Sequence, residues 1–231
     1  VTYLSSPISN CTAAVGGSVT GDGCDVTWST YGDQWFRATY TSPSASSVAQ
    51  TIEVQVVAPV DLGSGLSYST YGNAGPGAIG DCTMASVADW IETTFVAAGT
   101  IPSDQDTIAA YWSAEDVYNG GADVGLNWPD LTAYWANDGI DGTYLTAANP
   151  VSGSSAVETN LSSRYVLLTT VWLTPGEFGS SATATDGAHQ WLIVGYSTHG
   201  PMIVTWGQEF QISWSEFDSM TTGVWSIGVS S

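Results

Sequence analysis

Between Cys24 and Ala58, apolar and polar side chains alternate. CDVTWSTYG and QWFRATYTS carry Val26, Trp28, Trp35 and Tyr40 as their large members, and TIEVQVVAP repeats Ile52, Val54 and Val56 at a period of two. Gly, Ser and Pro clusters separate these runs. Residues 1–60 therefore read as short strands of a small β-sandwich, immunoglobulin-like in a loose sense. In residues 61–81, DLGSGLSYSTYGNAGPGAIGD, the alternation stops, and the Gly and Ser content marks a linker or a long entrance loop. A helical period begins at Cys82. Val87, Ile91 and Phe95 fall four apart, with Met84 and Ala88 beside them, which predicts a helix with an apolar face. A second helix is expected in IPSDQDTIAAYWSAEDVY, where Ser103 or Asp104 can cap. A third is expected in LNWPDLTAYWANDG, where Pro129 suits a first turn and Gly139 a stop. After about residue 164 the pattern returns to strands, in RYVLLTTVWL, HQWLIVGYS, PMIVTWG and FQISWSEF. Helices followed by strands predict an α+β domain with a mostly antiparallel sheet over residues 82–231.

Composition supports a folded chain. Hydrophobic residues make up 43% of the 231, with 11 Trp and 11 Tyr. No apolar run reaches the roughly 20 residues needed to span a bilayer, and no signal-peptide pattern is visible. The chain starts at Val1 without Met, as expected of a processed, mature form. The net charge of −20 comes from missing bases: 22 acidic residues face only Arg37 and Arg164, with no lysine. Trypsin-like proteases would find almost nothing to cut. The surface would also lose its charge in acid, where carboxylates protonate near pH ~4. Both traits fit an extracellular life. Two arginines cannot build a basic patch, which argues against nucleic acid and anionic membranes as partners, and the lack of a spanning apolar run argues against membrane insertion. Cys11 and Cys24 enclose a short Gly/Ser/Thr-rich loop and are expected to form a disulfide in an oxidising compartment, leaving Cys82 apart.

A thiol attacks as thiolate, and a helix N-terminus or a nearby imidazolium lowers its pKa. Cys82 stands where a helix should begin. Of the two histidines, His199 lies in a Ser-Thr-His-Gly-Pro turn, whereas His189 opens the strand HQWLIVGY, where rigid backbone can aim its ring. A cysteine on a helix start facing a histidine on a sheet is a nucleophile–base arrangement. On spacing alone a single cysteine is more often an inert core residue. No metal or cofactor is implied: two histidines and one spare cysteine make no zinc spacing, and Asp104 and Asp106 read as a helix cap. No Gly-x-Ser-x-Gly motif is present.

Taken in order, Gly80-Asp81-Cys82-Thr83, Gly187-Ala188-His189, Leu192-Ile193-Val194-Gly195-Tyr196 and Ile203-Val204-Thr205-Trp206-Gly207 resemble the papain-like cysteine peptidase pattern. Ile101-Pro102-Ser103-Asp104, Leu131-Thr132-Ala133-Tyr134-Trp135, Gly139-Ile140-Asp141-Gly142 and Ile212-Ser213-Trp214 are similar to uncharacterised papain-like proteins of actinobacteria and their phages. The resemblance covers residues 70–230 and leaves the N-terminal module outside. It implies Cys82 as nucleophile, His189 as general base, and an oxyanion hole made by the Cys82 backbone N–H with an upstream side-chain amide. Asn73 is the amide available, nine residues before Cys82, farther than the pattern has it. The family's imidazole-orienting Asn aligns with Val204, which cannot play that part, and Thr205, Gln208 and Asp186 are the polar candidates nearby. Trp206 would shield the pair.

Two functions are compatible with these features. One is an extracellular hydrolase cleaving peptide or amide bonds in a peptide or protein substrate. The other is a catalytically inactive subunit of a filament, virion or surface layer whose partners are copies of itself.

Overall fold

The computed structural model describes residues 10–13, 17–20, 25–28, 32–42, 45–56, 59–173 and 187–230, the strands before residue 57 by their backbone. The chain divides into two compact units, Val1–Ala58 and Pro59–Ser231.

In the first unit, β1 (Asn10–Ala13), β4 (Gly32–Ser42) and β5 (Ala45–Val56) form an antiparallel sheet in the order β1-β4-β5, and β2 (Gly17–Thr20) pairs with β3 (Asp25–Trp28). Among the described residues no disulfide bond is present, which corrects the expectation of a disulfide-bonded chain. A disulfide needs its two Cβ atoms about 4 Å apart. The residue set opposite Cys11 in the β1–β4 ladder is Ala38, Cys24 lies outside the described residues, and Cys82 is a free thiol.

The second unit is α+β. Its elements run β6 (Val60–Asp61), α1 (Cys82–Phe95), α2 (Asp104–Asn119), α3 (Trp128–Asn137), β7 (Tyr144–Pro150), α4 (Ser154–Ser162), β8 (Leu167–Leu173), β9 (Gly187–Tyr196), β10 (Pro201–Thr205), β11 (Gln208–Gln211), α5 (Trp214–Met220) and β12 (Thr221–Ser230). The strands form one antiparallel sheet in the order β11-β10-β9-β8-β12-β7, and β6 joins β9 at Gly195–Tyr196. The segment FQISWSEF is not one strand. β11 ends at Gln211, and Ser213 accepts the Glu216 N–H while Glu216 accepts the Ser213 N–H, a reciprocal capping box that starts α5.

Helix α1 packs most extensively on β9, then on α2, β10 and β8. It has no Gly or Pro, and residues Thr83 to Glu92 are all buried. Met84, Val87 and Ile91 enter the main core with Trp135, Leu168, Leu192, Val194 and Val204. Each such burial stabilises by about 1.5–3 kcal/mol. The opposite stripe, Cys82, Ser86, Asp89 and Thr93, is polar at helical spacing. Helix α2 is capped by Ser103, which accepts the Asp106 N–H, and stops at Gly120 in the left-handed region (φ 65°). Helix α3 is capped by Asn127, with Pro129 in its first turn. No helix among the described residues is long and apolar enough to cross a membrane.

Candidate functional site

Cys82 is the first residue of α1, and Asp81 occupies the N-cap position without making a side-chain cap bond. The turn before it is pinned from outside. Asp123 accepts the Gly80 N–H at 2.8 Å and the Tyr111 hydroxyl at 2.6 Å. The first turn is also fastened to the sheet. Gln190 Nε2 donates to Ser86 Oγ at 2.7 Å, and Ser86 Oγ donates to the Thr83 carbonyl at 2.9 Å. The Gln190 backbone N–H reaches the Cys82 sulfur and favours its ionised form, whereas burial, the larger effect, pushes the thiol up to about 11, helped by the Asp81 carboxylate. The residue keeps a partial opening to solvent.

His189 precedes Gln190 on β9. Its Nε2 lies 2.7 Å from Thr205 Oγ1, its ring stacks on Trp206 at 4.9 Å between centroids, and Trp191 meets it edge-on at 6.2 Å. Burial lowers its pKa to about 4, so the imidazole is neutral at physiological pH. Side chains alternate along a strand. Because Gln190 turns toward α1, His189 leaves β9 on the other side, the side of Thr205. Among the described residues no hydrogen bond joins the Cys82 sulfur to the imidazole.

Val204 is fully buried in the α1 core, so the polar contact to His189 falls to Thr205, itself 3% exposed. The Asn73 amide donates to the Ile79 carbonyl at 3.4 Å and also acts on Asp81. Asn73 thus belongs to the loop that leads into Cys82. That loop is held to the helices by Tyr68 hydroxyl with Thr93 Oγ1 (2.9 Å), Tyr71 hydroxyl to Glu92 (3.4 Å) and Ser69 to Asp104. Asp186 lies outside the described residues. His199 is exposed in its turn. Sequence reasoning missed Gln190 and Ser86. The signal was present, since a lone amide in an apolar strand needs a buried partner, and Ser86 stands one helical turn after Cys82. Among the described residues no group of three or more His, Cys, Asp or Glu side chains is placed to hold a metal ion.

Compared with known proteins, the chain matches no family model and no curated protein.

Proposed function

We propose that this chain is an extracellular, papain-like cysteine hydrolase that cleaves peptide or amide bonds through Cys82, with its N-terminal strands forming a small immunoglobulin-like sandwich. One observation carries this reading. The backbone N–H beside His189 touches the sulfur at the start of a buried helix, while Thr205 and Trp206 hold the same histidine in place and burial keeps it neutral.

With Nε2 occupied by Thr205, Nδ1 is left to take the thiol proton as the sulfur attacks the carbonyl carbon. The Cys82 backbone N–H, at the open end of α1, receives the developing oxyanion. The imidazolium then protonates the leaving amine as the C–N bond breaks. Water, deprotonated by the same nitrogen, splits the thioester, releasing the acid and restoring the thiol. Because burial favours both neutral forms, the resting site is a thiol and an imidazole, and the proton moves with the attack. Closing the gap between them is a task for bound substrate, since catalytic hydrogen bonds are often long in a free site.

A second reading, a silent site in a subunit of a filament, virion or surface layer, is favoured by the missing sulfur–imidazole hydrogen bond. One experiment separates the two: turnover of a fluorogenic peptide-amide library, run beside labelling of Cys82 by a peptidyl vinyl sulfone. The hydrolase reading expects turnover that is abolished in Cys82→Ala and reduced at least 100-fold, by about the general-base contribution, in His189→Ala. Absence of turnover across the library, with Cys82 labelled no faster than free cysteine, overturns it.

A further inference from the structure

Asp81 does none of the work of an ordinary N-cap aspartate. It makes no side-chain bond to the first turn of α1. It is fully buried, and neither carboxyl oxygen has a hydrogen-bond partner of normal geometry. The groups around it come from several elements. The Asn73 amide faces it from the preceding loop, Asp123 from the segment after α2, Asp104 from the start of α2, and Cys82 from α1 itself. From β9 the contribution is the Gln190 N–H on the Cys82 sulfur and a His189 ring held neutral. Among the described residues no cationic side chain acts on Asp81. An ionised Asp81 is therefore supported by the Asn73 amide and its own backbone N–H, at the N-terminal end of α1, whose dipole a Cys82 thiolate would also use.

We propose that Asp81 and Cys82 compete for negative charge at the start of α1, so that an ionised Asp81 holds the thiol protonated to higher pH. Asp81 is then a tuning residue of the nucleophile. Its importance for turnover rests on the hydrolase reading, but the competition itself is a property of the folded helix end and can be measured without any substrate. Burial and the neighbouring carboxylates hold the Asp81 carboxyl up at about 7, partly opposed by Asn73, so the exchange falls in an accessible pH range.

The test is the rate of alkylation of Cys82 in the full-length protein by iodoacetamide, a neutral reagent, from pH 5.5 to 9.5, read by mass spectrometry on the Cys82 peptide. A thiol that ionises alone gives a log rate rising with unit slope below its own pKa. Competition adds a shoulder: unit slope below about pH 7, a flattened stretch of roughly one pH unit while Asp81 loses its proton, then unit slope again. In Asp81→Asn, which keeps the side-chain shape, the shoulder disappears and Cys82 reacts roughly tenfold faster at pH 8.5, the equivalent of about one pKa unit. A straight unit slope in the wild-type protein overturns the proposal, and so does an Asp81→Asn profile that superimposes on it. The wild-type profile alone decides if the variant does not fold. Failure of the hydrolase reading would leave the shoulder in place, so the two outcomes are distinguishable.

Discussion

Trp206 has a φ of 51°, in the left-handed region that non-glycine residues avoid, and Gly207 follows at 70°. The pair forms the two-residue turn between Thr205 and Gln208, which face each other across β10 and β11. Such turns favour Asn-Gly, and a tryptophan in the first position costs about 1–2 kcal/mol of backbone strain. The strain accompanies a ring laid flat on His189. Beside it, the Thr205 hydroxyl is the hydrogen-bond partner of His189 Nε2. Thr205→Val keeps the shape and removes that partner, leaving a ring nitrogen in protein surroundings unpaired. We expect a loss of about 1–3 kcal/mol in urea unfolding, mostly restored in Thr205→Ser, which keeps the hydroxyl. Equal stability of the Val and Ser variants would remove Thr205 from the site. The sequence pointed to this neighbourhood through Trp206-Gly207 but aligned the family's orienting position with Val204. A bulge explains the offset. Met202 pairs with Gly195, yet Ile203 pairs with Ile193, so β9 carries one extra residue at Val194. Without it, Val204 would share a face with Ile193, Trp191 and His189. With it, Thr205 does. A bulge of this kind has no signature in a run of buried apolar residues.

At the scale of elements, legibility followed the strength of local signals. Helix α1 was readable from Val87, Ile91 and Phe95 together with the absence of breakers, and α2 and α3 from Ser103, Pro129 and Gly139. Helix α5 was not. FQISWSEF alternates like a strand, and only the Ser213–Glu216 box, a three-residue signal, marks the change. β7 and α4 were missed because their residues are largely half-exposed and polar, as in YLTAANP, and tertiary context decides their state: pairing with β12 for β7, packing on β9 and β8 for α4. The fold supplies a physical reason for the Val194-Gly195-Tyr196 motif of β9. A Cβ on Gly195 would stand 2.1 Å from the Val60 carbonyl oxygen and 3.0 Å from the Asp61 Cα. That glycine lets β6 cross β9 at contact distance, which fixes where the loop toward Asn73 and Cys82 departs. Backbone cannot yield as a flexible side chain would, so Gly195→Ala is expected to cost about 1–3 kcal/mol and to raise hydrogen exchange at Leu62, whose N–H donates to the Val194 carbonyl at 2.8 Å. Unchanged stability and exchange would mean that the β6 crossing is not a constraint on the loop.

At the scale of the whole molecule, a chain with 22 acidic residues and two basic ones has few cations with which to neutralise buried carboxylates. Burial raises the pKa values of Asp81 (to about 7), Asp89, Glu92, Asp141, Glu158 and Glu209. Among the described carboxyls only the well-exposed Glu216 moves clearly down, through its cap bonds to Ser213. A carboxyl whose folded pKa exceeds its unfolded value holds its proton more tightly when folded. Its stabilisation is complete below the unfolded value near pH 4 and is lost as pH rises through the folded value. Asp81 alone accounts for a loss of roughly 3–4 kcal/mol between about pH 4 and 7. His189 works in the opposite sense. Held neutral down to about 4 when folded, it removes about 3 kcal/mol as pH falls from 6.5 to 4. The two nearly cancel on the acid side, and above pH 6.5 only the carboxylate loss remains, reinforced by mutual repulsion of the surface charge. With Asp89, Glu92, Asp141, Glu158 and Glu209 adding their losses to that of Asp81, the melting temperature should be highest near pH ~4–5 and fall by about 5–10 °C on going to pH 8, at a few degrees per kcal/mol. Added salt should recover the surface part of that fall and leave the buried part. A melting temperature that climbs from pH 5.5 to 8 would mean that the buried acids find cationic or hydrogen-bonding partners in solution, and the charge competition at the start of α1 would lose its electrostatic setting along with them.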